Sequence, residues 1–154
     1  MVILIISIIS TIMVPSGIKW IKKMTIQSDS KKMITLFSLA KSYSKSLNKP
    51  IAIEMGYADV ESEEDVTIDT ISLRDVSDAS TTSLSESIEI KYGIKIVSDP
   101  RVDQIVFFPT KNVQIKFNDS TLSTGNIDFN FKIDTTLITK MTFFYYSEKI
   151  IKNP

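Results

Sequence analysis

The hydrophobic pattern of the chain begins with a run, residues 1–14, that contains no charged side chain. Extended through Gly17 and Ile18, it approaches the ~20 residues that a helix needs to cross the hydrocarbon core of a bilayer. Basic and aromatic residues follow, as is usual where a span leaves the membrane. We therefore predict a transmembrane stem over residues 1–25. The predicted membrane-interface residues are Lys19, Trp20, Lys22 and Lys23.

A cleaved signal peptide is the alternative interpretation of this run. Signal peptides begin with a basic segment and end at a small-residue cleavage site. The run has no basic residue at its start, and Val14-Pro15-Ser16 matches a cleavage site poorly. The pattern therefore favours a retained anchor or an assembly helix.

Apolar residues then recur every three or four positions, which is typical of one face of an amphipathic helix. The pattern ends at Asn48-Lys49-Pro50, and a proline disfavours helical backbone in the residue before it. We predict one long helix that ends near residue 47, bends near Pro15–Gly17, and is amphipathic over 28–48. The buried stripe is predicted to contain Met33, Leu36, Phe37, Ala40, Tyr43 and Leu47.

From Pro50 the period changes to two, which is typical of half-buried strands. Short alternating segments separated by turn residues predict an antiparallel sheet or sandwich between residues 50 and 147. The segment 127–133 has the clearest alternation, and 137–146 is predicted to be the last strand. The fold class is therefore α+β, with a long N-terminal helix, transmembrane and then amphipathic, packed on this sheet in a globular domain over 26–154.

The composition limits the chemistry that the chain can perform. There is no histidine and no cysteine, so Cys-His and Ser-His-Asp arrangements are impossible and the commonest transition-metal ligands are missing. No glycine-rich phosphate-binding motif occurs. We therefore predict that the protein is not an enzyme and uses no cofactor, with one candidate exception.

The candidate exception is an acidic cluster in residues 59–65. Five carboxylates in seven residues suit a hard cation such as Ca²⁺, although the spacing lacks the glycine of an EF-hand loop. A solvated loop between two strands is the alternative interpretation. The candidate ligands are Asp59, Glu61, Glu63, Glu64 and Asp65.

Formal net charge is zero, but its distribution is uneven. Residues 1–49 contain eight lysines and one acid, Asp29, whereas the remainder is acidic. Lysines beside the stem are suited to anionic lipid headgroups. Nucleic acid is a less favoured partner, because the aromatic side chains expected of a single-strand platform are scarce there.

Several segments resemble known proteins. "ILIISIISTIMVPSGIKWIKKM" is similar to the N-terminal helix of type IV pilins and of the pseudopilins of type II secretion systems, including the helix-bending proline. "MITLFSLAKSYSKSLNKPIAIEM" is similar to the junction of helix and first strand in the GspH/FimT group of minor pseudopilins, and "IVFFPTKNVQIKF" and "STGNIDF" resemble later strands of that group.

This resemblance implies a structural role as a minor pilin or pseudopilin, a subunit of a type IV pilus or a type II secretion pseudopilus. Its partners would be other subunits, bound through the N-terminal helix. Its location would be the bacterial inner membrane, crossed once, with the β domain periplasmic. The stem residues implied to make these contacts are Ile5, Ile6, Ile9, Ile12, Met13, Pro15 and Gly17.

The family's leader peptide and its cleavage site have no counterpart in this sequence. Aligned on Pro15, they would precede Met1, so we expect either that the chain starts at an internal methionine of a longer reading frame or that it is a degenerate member of the family. A second function remains open: a membrane-anchored, exported binding domain without catalysis, with DNA uptake as one example.

Overall fold

A single helix, α1, runs from Val2 to Ser46 and is continuous through Pro15. Its 45 residues give a rod of about 70 Å at ~1.5 Å per residue. Asn48 ends it with a left-handed backbone (φ 51°), and the Lys49 amide donates to the Ser44 carbonyl. This computed structural model describes residues 2–58, 66–77, 82–84, 87–90, 94–110, 112–118, 120–122, 125–133 and 135–153, without the side chains of 2–16, 82, 83 and 94.

The rest of the described chain is β-structure, as the period of two predicts. The longer strands are β1 (Ile51–Tyr57), β2 (Ile68–Asp75), β5 (Ile94–Asp99), β6 (Gln104–Phe107), β7 (Val113–Phe117), β9 (Asn126–Ile133), β10 (Thr136–Phe144) and β11 (Lys149–Asn153). The two-residue strands are β3 (Thr82–Ser83), β4 (Ile88–Glu89) and β8 (Ser120–Thr121).

These strands form one antiparallel sheet in the order β11-β10-β9-β5-β2-β1-β6-β7-β8, with β3 and β4 paired to β2. The contact between β5 and β2 is narrow: Ile68 opposite Ile96 is the register pair that joins them within the described residues. The sheet therefore divides into a first half-sheet (β1 to β4 and β6 to β8) and a second half-sheet (β5, β9, β10 and β11).

The core lies between α1 and this sheet. Phe37 is its centre, because its ring lies 6.2 Å from that of Phe107, 6.0 Å from that of Phe129 and 5.2 Å from that of Phe143. One aromatic side chain of the helix thus contacts both half-sheets. The predicted stripe is confirmed for Met33, Leu36, Phe37 and Ala40, which are buried, and for Tyr43, which packs against the core.

The structure corrects two sequence predictions. Leu47 is half exposed, because the helix ends at Ser46 and the stripe ends with it. The last strand is β11, not the strand that begins near residue 137; the Lys-Ile-Ile-Lys-Asn sequence of β11 does not alternate strictly. The predicted helix is continuous through residues 27–30, where Asp29 and Ser30 are buried against the domain.

Candidate functional site

The first exposed apolar surface lies on α1 before the helix reaches the domain. Burial of α1 in the core starts at Ile26, which is 1% exposed. Just before it, an exposed apolar group covers residues 18–24, and Trp20 is 63% exposed. We call these side chains the stem face: Ile18, Trp20, Ile21 and Met24.

The helical period decides which way the stem face points. Eighteen residues make about five full turns, so residues that far apart share a side of the helix. Trp20 and Met24 therefore share a side with Ser38 and Ser42, which are exposed. Trp20 and Met24 thus lie on the side of α1 that faces away from the domain, whereas Ile18 and Ile21 are in phase with Leu36 and Leu39, which pack on the core.

The lysines take the opposite side. Lys19 stands eighteen residues before Phe37, and Lys22 stands eighteen before Ala40; both of these later residues are buried on the sheet. Lys22 is itself half-buried, whereas Lys19 and Lys23 are exposed. Lys19 and Lys22 are therefore turned towards the side of the domain, opposite Trp20 and Met24.

The predicted stem residues lie further along the same helix. Their backbones belong to α1, but their side chains lie outside the described residues, and Gly17 has open space around it among those described. Among the described residues, no helical segment has the length and apolarity of a bilayer span. The residues in question are Ile5, Ile6, Ile9, Ile12, Met13 and Pro15.

A carboxylate, that of Asp29, is buried where α1 meets the domain. The Lys32 amine lies 3.7 Å from its Oδ1, and its Oδ2 has no hydrogen-bond partner among the described residues. Burial raises the pKa of this carboxyl above its ordinary value, and the nearby Lys32 charge only partly opposes the effect.

A polar surface covers the outer face of the first half-sheet. Glu54 pairs with Arg74 (3.0 Å) and accepts a hydrogen bond from Gln104 (3.2 Å). Beside them, Glu54, Asp103 and Lys116 help to line an open cleft of about 430 Å³. Nearby, the Arg101 guanidinium lies 4.5 Å from the centre of the Tyr57 ring. Glu54 and Arg74 on this face are thus already paired with each other.

The predicted cation ligands, residues 59–65, lie outside the described residues. Within the part of the chain that is described, no group of three or more acidic side chains could hold a metal ion. The Ca²⁺ site therefore remains a prediction.

The sequence analysis missed three exposed apolar side chains in the described part of the β domain, those of Leu137, Tyr146 and Ile151. Tyr146 is 90% exposed at the turn after β10, and its ring packs edge-on against that of Tyr145. Leu137 is 52% exposed at the other end of the same strand. The one available signal was the short loop between β9 and β10, which places Leu137 at the tip of a hairpin.

Comparison with solved structures identifies which kind of helix-on-sheet fold this chain has. No protein-family model matches the chain, and no curated protein matches it. Two crystal structures of the type IV minor pilin FimU of Pseudomonas aeruginosa match in fold. One has a TM-score of 0.54 at 14% identity, over 83% of this chain and 92% of that one. The other has a TM-score of 0.57 at 13% identity, over 88% and 92%.

The fold is type IV pilin-like. At this identity the similarity establishes architecture alone, and it covers the long helix and the sheet together. In this chain the exposed stem face and the buried stripe are two parts of the same helix. The expectation of a pilin-like α+β fold is thereby confirmed.

Proposed function

We propose that this protein is a minor pilin or pseudopilin, a structural subunit of a type IV pilus or a type II secretion pseudopilus. The observation that carries the proposal is the division of α1: it packs on the sheet from Ile26 onward and presents apolar side chains away from the domain before that point. The similarity to a minor pilin supports the same role.

The mechanism of this proposed role is assembly. Stems that begin in the inner membrane would pack side by side as subunits join, and burial of apolar surface between helices would hold them together. The stem face would contribute Ile21 and Met24, and the apolar run before it would contribute Ile5, Ile6, Ile9, Ile12 and Met13. Pro15 removes one helical hydrogen bond and would allow the stem to curve, with Gly17 beside it.

Single-cysteine crosslinking tests this proposal directly, because the chain has no cysteine of its own. Met24→Cys lies on the side of the helix that faces away from the domain, and Lys22→Cys, in phase with the buried Ala40, is turned towards the protein's own domain. In membranes of expressing cells, oxidation is expected to link Met24→Cys into dimers and to leave Lys22→Cys mainly monomeric.

Equal crosslinking at the two positions would show that the contact is collisional and has no defined face. Absence of crosslinking at Met24→Cys, both alone and with co-expressed pilin-like subunits, would argue against assembly through the stem. The periplasmic location is tested separately with Tyr146→Cys. A membrane-impermeant maleimide is expected to label this exposed position in intact spheroplasts.

A further inference from the structure

A groove runs between α1 and β11, the strand at one edge of the described sheet. It has a volume of about 320 Å³, and its lining includes Ile34, Phe37 and Ile150, which are apolar. Ser38 also lines it and is exposed. Because Trp20 stands eighteen residues before Ser38, the groove opens on the same side of the helix as this part of the stem face.

Five lysines border the groove along its length. Lys41 and Lys149 line it directly, and Lys152 lies nearer the stem, where its amine donates to the Ser30 hydroxyl over 3.5 Å. The other two continue the same face of α1, one of them three residues before Ile34 and one four residues after Lys41. We call these side chains the basic groove: Lys31, Lys41, Lys45, Lys149 and Lys152.

The carboxylates of this half of the molecule leave most of these lysines without a partner. Glu148, at the groove, lies 2.8 Å from Lys41, and Asp128 of β9 lies 2.7 Å from Lys140. Both carboxylates are therefore already paired. The lysines of the basic groove that form no ion pair with any described residue are Lys31, Lys45, Lys149 and Lys152.

The chain itself contains a segment of the opposite charge. Residues 59–65 carry five carboxylates in seven positions and no lysine or arginine. This acidic segment joins β1 to β2, which are held together at its base by the hydrogen bond from the Ala58 amide to the Thr67 carbonyl (3.1 Å). Its charge is therefore complementary to that of the basic groove.

The acidic segment is too short to reach the groove of its own chain. β5, β9 and β10 lie between β2 and β11, so four strand spacings separate these strands, about 19 Å at ~4.8 Å each. A loop over residues 59–66 must leave the sheet and return to it. Half of that loop therefore reaches about 13 Å at ~3.3 Å per residue.

We propose that the basic groove of one subunit binds the acidic segment of a second copy of this chain. This proposal rests on the proposed function, because it specifies how subunits joined by their stems also contact each other through their domains. The groove and the segment are different surfaces of the chain, so the contact is heterologous. Such a contact can repeat from copy to copy, which is the arrangement that builds a filament.

Electrostatic attraction between several charges on each side supports this pairing. A single exposed ion pair contributes little, whereas charges that act as a network contribute more. The apolar lining beside the lysines removes some water from the contact and so reduces screening. Added salt should weaken the contact, because the lysines and carboxylates approach each other from solvent.

The test is a disulfide between two differently tagged copies of the full chain, co-expressed and oxidised in membranes. One copy carries Ser38→Cys in the groove, and the other carries Ser62→Cys at the centre of the acidic segment. Ser120→Cys is the matched control, because this serine is also exposed but lies on β8, at the opposite edge of the sheet. The chain has no other cysteine.

A mixed dimer is expected between Ser38→Cys and Ser62→Cys, and several-fold less of it in high salt. Little is expected between Ser120→Cys and Ser62→Cys. Lys45→Glu with Lys149→Glu in the groove copy should reduce the mixed dimer several-fold. Glu61→Lys with Glu63→Lys in the segment copy should then restore much of it, which a misfolded variant could not do.

Loss of this mixed dimer while Met24→Cys still crosslinks would overturn this proposal and leave the proposed function intact. Loss of both crosslinks would overturn both. Equal linking of Ser38→Cys and Ser120→Cys, or a mixed dimer unchanged by charge reversal, would also overturn the pairing. So would linking of Ser38→Cys to a different co-expressed subunit and not to Ser62→Cys.

Discussion

The Lys41 amine and the Glu148 carboxylate form an ion pair, 2.8 Å apart, that joins the C-terminal half of α1 to the turn after β10. Both side chains are largely buried, at 32% and 13% exposure, so solvent screens the pair only partly. A double-mutant cycle with Lys41→Gln and Glu148→Gln is expected to give a coupling energy of about 1 kcal/mol. Denaturant unfolding of the detergent-solubilised chain measures it.

Lys45→Gln, one turn further along, is the control for this cycle. Its side chain is exposed, so the free energy of unfolding is expected to change by less than about 0.5 kcal/mol. A coupling energy indistinguishable from zero would mean that the pair does not help to hold the helix on the sheet.

Phe37 is expected to be the most sensitive position of the helix. Its ring contacts three other phenylalanine rings that belong to both half-sheets. Phe37→Ala should lower the free energy of unfolding by about 3–5 kcal/mol, since it removes a large buried side chain and leaves a cavity. Phe37→Leu, which fills more of the space, should lower it by less. Equal losses of unfolding free energy for the two variants would mean that stability does not depend on the volume of the side chain at position 37.

The buried Asp29 makes stability depend on pH. Its pKa is raised above 3.8 by burial, so the folded state binds this proton more tightly than the unfolded state does. Its contribution to stability is therefore present in full below pH 3.8 and is lost as the pH rises through the raised pKa. Asp29→Asn should remove this decline and stabilise the protein at neutral pH by the order of 1 kcal/mol.

Unfolding free energies of both proteins over a pH series test this expectation. The two curves should converge in acid, where Asp29 is protonated in the wild-type protein. If Asp29→Asn were instead less stable at neutral pH, this would mean that the ionised carboxylate of Asp29 stabilises the folded state.

The contribution of Asp75 to stability should depend on pH in the opposite sense to that of Asp29. Hydrogen bonds from the Ser77 hydroxyl (2.6 Å) and the Ser77 amide (2.9 Å), together with Lys49, lower the pKa of Asp75 to about 2. Its contribution to stability is therefore present above pH 3.8 and is lost as the pH falls through about 2. Carboxyl chemical shifts followed by NMR measure the pKa directly.

Ser77→Ala should raise the pKa of Asp75 towards 3.8, because it removes the largest cause of the shift. Lys49→Gln should raise it by a smaller amount. The opposite order would show that the lysine, at 3.1 Å, dominates over the serine.

The helix and its buried side could be predicted from the sequence because they depend on local periodicity. Met33, Phe37 and Ala40 follow the spacing of one helical face, and Pro50 marks the end. The same spacing also contained the orientation of Lys19 and Lys22. This orientation follows only when Lys19 and Lys22 are compared with the buried residues eighteen positions later. The sequence analysis treated the stem as one apolar run and did not make that comparison.

The sheet order and the hairpin tip could not be predicted, because they depend on contacts between distant segments. β5 lies between β9 and β2, and nothing in its own sequence selects those neighbours. β11 is an edge strand whose inner side packs on the helix through Ile150 and Lys152, so its pattern is irregular. The exposed position of Leu137, opposite Lys132, follows only from these pairings.

The packing of β11 on α1 also determines when folding can finish. Lys152 contacts Ser30 across 122 positions of sequence, so the earliest part of the domain is completed by its last strand. Contacts between such distant segments form slowly, since a long loop must close first. During synthesis, the helix would therefore emerge with its sheet-facing stripe uncovered. A chaperone that shields Phe37 and its neighbours in that interval would be expected to raise the yield of folded protein.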